Sequence, residues 1–499
     1  MRLRASEMAA ITGGRLLSGN PQAWLRDLTT DSRALQFGQC FLALVGANFD
    51  GHDFLAQALE RGAWGLIVRQ KSGQHLPKTQ VPVIAVPDTL RALGDIAAAW
   101  RRRFNIPLVA VTGSSGKTTT KEMIARILGG RGPVLKNKGN FNNLVGLPLS
   151  LLQLQPFHRF AVAELGMNRP GEIGRLTEIA HPQVGLITNV GPVHLEGLGD
   201  EDGVARAKGE LVAKLPAEAA VAVNLDDPRV CKLMRRHPGP RIGFSRRPEG
   251  SPDEKESLHL VAFRPMEFTG EAAALRSLPY GLEFRVQLRN YGKPADYPVR
   301  FELETLSWNA VENALAAAAT ARVFGIPLEE SAARLQEFHG LTGRNQLVKL
   351  PGPIYVVNDS YNANPVSMLS ALQSFNYWRG RSRGIVVLGD MLELGKFTPA
   401  AHKELGASLG VMDFDRIIFR GEQAEVMAAA AKRAGVPAGR MQAAASNAEI
   451  VQRLRAELKP GDWVLVKASR GIHLDEVVVG LQEELAQGFS PGERGGSGL

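Results

Sequence analysis

The residues Thr112-Gly113-Ser114-Ser115-Gly116-Lys117-Thr118-Thr119 combine the groups that a bound phosphate chain needs. An apolar run at 108–111 enters a turn bracketed by Gly113 and Gly116, and a helical pattern follows with Met123, Ile124, Ile127 and Leu128 on one face. In such a loop, backbone N–H groups and a helix N-terminus point at one anion. Lys117 supplies a point charge for the outer phosphates, and the Thr118 hydroxyl can reach Mg²⁺. The common spacing G-x-x-x-x-G-K-[ST] would put a glycine at 111, where Val111 stands; the first glycine here is Gly113. Strand, turn, Lys-Thr and helix together imply a nucleoside triphosphate. The competing reading is a plain capped helix with a solvated lysine, which that context disfavours.

Downstream lie other polar residues placed for chemistry. Glu164 ends the apolar run 160–163, Asn189 closes the run 184–188, and His194 and Lys208 follow. Ligands of open α/β sheets gather beyond the carboxyl ends of the strands. Phosphates bring Mg²⁺, which prefers oxygen ligands, and Glu164 suits that role directly. Imidazole is an unusual Mg²⁺ ligand and an ammonium cannot be one, so the residues alone leave His194 and Lys208 without assigned roles. A single such residue is more often structural; the set, downstream of a phosphate loop, is the sharper observation.

The elements that must position these groups read as three α/β units. The first hundred residues show short strands at 40–44, 65–68 and 83–86, a helix at 90–103 and a connector at 105–107. From 108 to about 224, apolar runs at 108–111, 160–163, 184–188 and 219–223 alternate with helical patterns, which predicts a doubly wound parallel sheet. Alternation at Leu282, Phe284, Val286 and Leu288, then at Val299, Phe301 and Leu303, predicts antiparallel additions. The polar stretch 245–256 reads as a surface loop, and 310–324 as a helix whose Ala-rich part is buried. After about Gln346 a Rossmann-like α/β series begins, with strands at 354–357, 385–388, 416–419 and 463–466. The expected limits are 1–104, 105–345 and 346–488, with 489–499 a disordered tail.

Composition restricts the function classes. With 44% hydrophobic and 22% charged residues, the chain has the balance of a globular protein with true cores. Two cysteines, Cys40 and Cys231, build no disulfide framework, so a reducing, cytoplasmic setting is expected. The N-terminus lacks the apolar core of a signal peptide, and no run approaches twenty apolar residues, so no membrane span is expected. The net charge of +9 is spread over scattered basic residues with 6% aromatics, so it calls for no nucleic acid and suits small polyanions equally.

The set Thr112-Gly113-Ser114-Ser115-Gly116-Lys117-Thr118, Glu164, His194 and Lys208 resembles the Mur ligases of peptidoglycan synthesis, and the likeness runs over nearly the whole chain. The resemblance implies that Lys208 is carbamylated by CO₂, a carboxylate-like group beside a second Mg²⁺ with His194, while Thr118 and Glu164 hold the first. It implies a UDP-sugar-binding N-terminal domain through Thr30-Asp31-Ser32-Arg33 and the stretch from Phe49 to Phe54, and a muramoyl-peptide contact at Asn142 and Asn143. Asn309 and Asn313 match its adenine-side asparagines, Arg344 and Asp359 its ATP contacts from the C-terminal domain, and Lys467-Ala468-Ser469-Arg470 its late motif.

Asp359-Ser360-Tyr361-Asn362-Ala363-Asn364-Pro365 and Gly389-Asp390-Met391-Leu392-Glu393-Leu394-Gly395 resemble the members that add D-alanyl-D-alanine to UDP-N-acetylmuramoyl-tripeptide, with Tyr361, Asn362 and Asn364 on the substrate side. ATP, two Mg²⁺ and a monomer are implied. Trp308, Ala468 and Asn358 depart from the family's usual His, Gly and Asp. Two alternatives stand beside this reading. One is another amide ligase of the same superfamily, tripeptide-forming or folylpolyglutamate-type; the other is a nucleotide switch, which would have no use for His194 and Lys208 together.

Overall fold

A computed structural model describes residues 1–46, 49–70, 76–246, 258–269, 280–290, 293–294 and 297–488. The expected disordered tail at 489–499 and most of the expected loop at 245–256 lie outside the described residues. The described chain forms three sheets, each flanked by helices.

The N-terminal sheet has six strands. Gln39–Leu42, Gly65–Arg69 and Val83–Val86 form its parallel centre, joined on one side by Trp24–Thr29. Arg2–Arg4 and Arg15–Ser18 pair antiparallel at the two edges. The sequence reading found the three central strands and missed the other three. Those set leucines, several of them buried, among exposed residues, so they carry little continuous apolar signal. Helix Thr89–Arg101 begins where Asp88 accepts the Arg91 N–H (2.9 Å). At its far end Arg101 turns inward and donates to the carbonyls of Phe104, Ile106 and Ala180 at 2.7–3.1 Å. That pins the expected connector against the central unit.

The central sheet has ten strands among the described residues. Leu108–Thr112 lies between Val184–Ile187 and Phe160–Glu164, all parallel. Its register sets Val111 beside Glu164 and Thr112 beside Ile187, so the phosphate loop, Glu164 and Asn189 leave the sheet at one edge. Val134–Lys136 and Arg241–Ser245 extend the parallel part, and Tyr280–Asn290 pairs antiparallel with both Leu258–Thr269 and Val299–Leu303. Helix Asn309–Val323 packs on the loop's helix, Lys117–Leu128. Its alanines from Ala314 to Ala321 are all buried, and their small side chains permit that close approach.

The C-terminal sheet runs Gln346–Leu350, Ile354–Asp359, Trp463–Lys467, Gly384–Gly389, Arg416–Arg420, Met441–Ala444, parallel except for the first pair. It faces the central unit through Tyr280, Trp308, Tyr355, Trp378 and Trp463, whose ring centroids lie 5.0–6.3 Å apart in successive pairs. The Trp378 indole N–H donates to the Leu306 carbonyl (2.7 Å), and Trp308, the departure noted above, stacks on Trp378.

Candidate active site

A cleft of about 890 Å³ opens between the central and C-terminal units, at the carboxyl ends of both parallel sheets. Its floor is the phosphate loop. Gly113 has φ 151°, and a Cβ there would lie 1.8 Å from Thr188 Oγ1; Gly116 has φ 77° and faces the Asn313 amide. Asn189 shapes the turn from the neighbouring strand end, where its carbonyl accepts Ser114 N–H (3.0 Å) and its Oδ1 accepts Ser115 N–H (2.8 Å). Thr120 is the first residue whose N–H reaches back into the helix, to Gly116, so the amides of Lys117, Thr118 and Thr119 face the cleft end. Lys117 Nζ donates to the Gly113 carbonyl (2.8 Å). Burial lowers the Lys117 pKa, against the opposing effect of Glu164.

A Gly113→Ala variant is expected to keep the fold and lose ADP affinity by at least about tenfold by calorimetry. The clash with Thr188 forces a shift in a loop where about an ångström of displacement costs on that scale.

Glu164 is buried and held from three sides. Thr118 Oγ1 donates to its Oε2 (2.7 Å), Asn142 Nδ2 to its Oε1 (2.8 Å), and the Asn137 side chain brackets its backbone, accepting Glu164 N–H (2.9 Å) and donating to its carbonyl (3.1 Å). Arg344, from the C-terminal side of the cleft, donates to the same Thr118 hydroxyl (2.9 Å). The guanidinium also covers the Tyr361 ring (4.1 Å), which Arg470 flanks at 5.1 Å.

Lys208, on helix Glu201–Lys214, is only 2% exposed, yet it lines the cleft. Burial and then the Lys117 charge push its pKa well below the ordinary ammonium value. His194 precedes the short helix Leu195–Leu198, and its Nδ1 lies 2.6 Å from Glu393 Oε2 of the C-terminal unit. His194 holds the Glu393 carboxyl below its usual range, against the effect of burial.

The remaining expected residues divide between the cleft and elsewhere. Asn309 and Asn313 line it; Asn309 donates to Ser370 Oγ (3.0 Å) and Asn313 Oδ1 accepts from Thr120 (3.2 Å). Asp359 is bound to the buried Lys467 ammonium (2.5 Å), which also donates to the Asn362 carbonyl (3.1 Å). Asn143 lines the cleft, and its Oδ1 accepts the N–H of Gly146, the first residue of the helix Gly146–Leu151 (2.8 Å). The Asn364 side chain is committed to a capping box on Pro365–Trp378. Ser32 and Arg33 lie outside this cleft. Ser32 donates to Gln57 (2.7 Å), and Arg33 pairs with Asp31 (3.0 Å), whose pKa it holds down at about 2.

The sequence reading missed Asn137, Glu312 and the Glu393 contact. Glu312 lines the cleft, accepts from Asn224 Nδ2 (3.0 Å), and is pushed up to about 6 by burial. A lone Glu on an Ala-rich helix carries no signal that it points inward.

Loop, carboxylate and cleft define a phosphate-loop nucleotide-binding protein built of three α/β units. Family models match in the same order: the Mur ligase family catalytic domain over 25–101, the Mur ligase middle domain over 111–321 and the Mur ligase glutamate ligase domain over 343–470. The UDP-N-acetylmuramoyl-tripeptide–D-alanyl-D-alanine ligase of Bacillus subtilis is 32% identical, covering 93% of this chain and 94% of its own; that of Escherichia coli is 33% identical, covering 96% and 98%. Among solved structures, MurF from Acinetobacter baumannii superposes with a TM-score of 0.82 at 29% identity, covering 97% of this chain and 99% of its own. MurF ligase from Thermotoga maritima in complex with ADP gives 0.77 at 26% identity, covering 93% and 98%. The chain belongs to the Mur ligase family.

Proposed function

We propose that this protein joins D-alanyl-D-alanine to the terminal carboxylate of UDP-N-acetylmuramoyl-tripeptide at the expense of ATP, giving ADP, phosphate and the pentapeptide precursor of peptidoglycan. One observation carries this reading: a phosphate loop, a fixed carboxylate and a buried lysine meet in a cleft closed on its far side by a second α/β unit. The near full-length likeness to D-alanyl-D-alanine ligases supports the particular substrates.

A carboxylate will not release oxide to an amine. Transfer of the γ-phosphoryl to the carboxylate oxygen breaks the bond to ADP and gives an acyl phosphate. The amine then attacks the acyl carbon, loses a proton, and the tetrahedral adduct expels phosphate. Phosphoryl transfer asks the protein for position and for neutralised charge. The amides of Lys117–Thr119 face the phosphates, and Lys117 needs only to swing from the Gly113 carbonyl to bind the outer ones. Arg344, at the junction between the two units, donates to Thr118, and the cleft that shields the acyl phosphate from water is walled by both units.

The residues present fit Mg²⁺. Thr118 and Glu164 offer hard oxygens 2.7 Å apart, a partial donor set that suits an ion keeping water and phosphate oxygens. Thr118 and Glu164 would hold one ion, and His194 with Lys208 as its CO₂-derived carbamate a second; bound there, the ions supply charge neutralisation at the phosphates. Asn309 and Asn313 bind the adenine side, with Asp359 and Arg344 opposite. Asn142, Asn143, Tyr361, Asn362 and Asn364 line the peptide side, and Ser32 and Arg33 meet the UDP moiety. The domain limits fall at 104/105 and 345/346. Among the described residues no helix is long and apolar enough to cross a membrane. The proposed working form is a cytoplasmic monomer.

The test is an ADP-release assay with each substrate omitted in turn. Release should require UDP-muramoyl-tripeptide and D-alanyl-D-alanine together. Equal release from ATP alone would identify a hydrolytic switch instead.

A further inference from the structure

The segment from Leu392 to Phe397 brings the C-terminal unit onto the short helix Leu195–Leu198. Gly395 turns there with φ 55°, its Cβ position 3.1 Å from the Glu196 Cα, and Phe397 packs against the cores on both sides. Two non-glycine residues with left-handed backbone meet at this contact: Glu393 at φ 64° and His194 at φ 52°. Such conformations cost energy and persist only where the surroundings enforce them. They aim the Glu393 carboxylate at the His194 ring, with Oε2 2.6 Å from Nδ1. The carboxylate sits off the N–H axis, so the buried Nδ1 makes no directional hydrogen bond in this state.

Two roles could explain the contact. As a domain latch it is weak, because the Glu393 side chain is 56% exposed and exposed pairs add little. The aromatic cluster around Trp378 and Trp463 already seats the two units. As an orienting contact it is well placed. A carboxylate at Nδ1 selects the tautomer with the proton there, which leaves the Nε2 lone pair free for an electrophile in the cleft. We propose that Glu393 is a positioning residue, supplied by the C-terminal unit, that fixes the tautomer and rotation of His194 once the two units meet. The inference rests on the proposed role of His194 as a metal ligand. Under it, metal competence depends on domain seating, because half of the carboxylate–imidazole pair comes from each unit.

The test uses the full chain with Glu393→Ala and Glu393→Gln, since the Gln amide oxygen can still accept from Nδ1–H. Mn²⁺ binding is followed by electron paramagnetic resonance with a non-hydrolysable ATP analogue and UDP-muramoyl-tripeptide. Small-angle scattering on the same samples reports domain seating. In Glu393→Ala, affinity for one Mn²⁺ should fall roughly tenfold and kcat about 10–100-fold, with KM for ATP and the radius of gyration unchanged. Glu393→Gln should recover most of both losses. Unchanged Mn²⁺ affinity in Glu393→Ala overturns the proposal, and so does a loss that appears only with an expanded radius of gyration. A wild-type chain without ligase turnover would sink the proposed function, while the Mn²⁺ comparison still reads the role of Glu393.

Discussion

Substituting Lys208 by alanine is expected to lower ligase turnover by about 10²–10³-fold, the scale on which removal of one preorganised electrostatic group slows such reactions. Lys208 is almost wholly buried on helix Glu201–Lys214, its charge opposed first by desolvation and then by Lys117. An ammonium in that position would repel any cation at the phosphates. The same environment favours the neutral amine, the form that could add to CO₂ with loss of one proton to give the proposed carbamate. The side chain would thereby change from a prospective +1 to −1, the sign that suits the Lys117 charge acting on it. Alanine leaves a cavity with no anion. Added bicarbonate should not restore turnover, because no amine remains to carry the carboxyl group, whereas millimolar formate or acetate should restore part of it by occupying the space. Phosphate release with both substrates measures all three conditions. Turnover within twofold of wild type would remove Lys208 from the mechanism.

How legible the site was depended on whether a residue's role is set locally or by pairing across the chain. Glu164 could be found because an apolar run delivers it directly to a strand end, and the register beside Val111 puts it at the phosphate loop. Lys117 and Thr118 were fixed by their position between a strand and a helix. Asn137 gave no such sign. It braces Glu164 only because Val134–Lys136 pairs with Phe160–Glu164, a register that nothing near residue 137 encodes. Glu393 reaches His194 only through the arrangement of two units, which periodicity does not report. Residues 108–112, 184–187 and 463–467 were legible as strands because they are buried on both faces and read as continuous apolar runs. Trp24–Thr29 and Gln346–Leu350 lie toward sheet edges, where exposed positions break the pattern. For Asn364 the structure adds a structural role: its side chain caps the helix Pro365–Trp378, so an alanine there would combine a lost cap with any change in substrate contact.

Lys117→Met is expected to lower kcat/KM for ATP by about 10³-fold while leaving thermal stability unchanged or slightly raised. The two halves of that expectation have one cause. The Lys117 ammonium is half-buried, its pKa is lowered by desolvation, and it donates to the Gly113 carbonyl at 2.8 Å. A charge held that way contributes little to folding, and an isosteric apolar chain can replace it at small cost. With ATP bound, the same charge faces the phosphates in a site that excludes water, where its attraction is far stronger than at a surface. Attraction that grows as phosphate charge develops is the differential binding that accelerates a reaction. Arginine should not substitute for it. The planar guanidinium is wider than an ammonium, and the loop beside it is confined by Gly116 against Asn313 and by Gly113 against Thr188. Single-turnover ADP formation gives the catalytic loss and differential scanning calorimetry gives the stability. A variant that keeps turnover within tenfold, or one that loses activity together with its melting transition, would show that Lys117 serves the fold of the loop more than the phosphates.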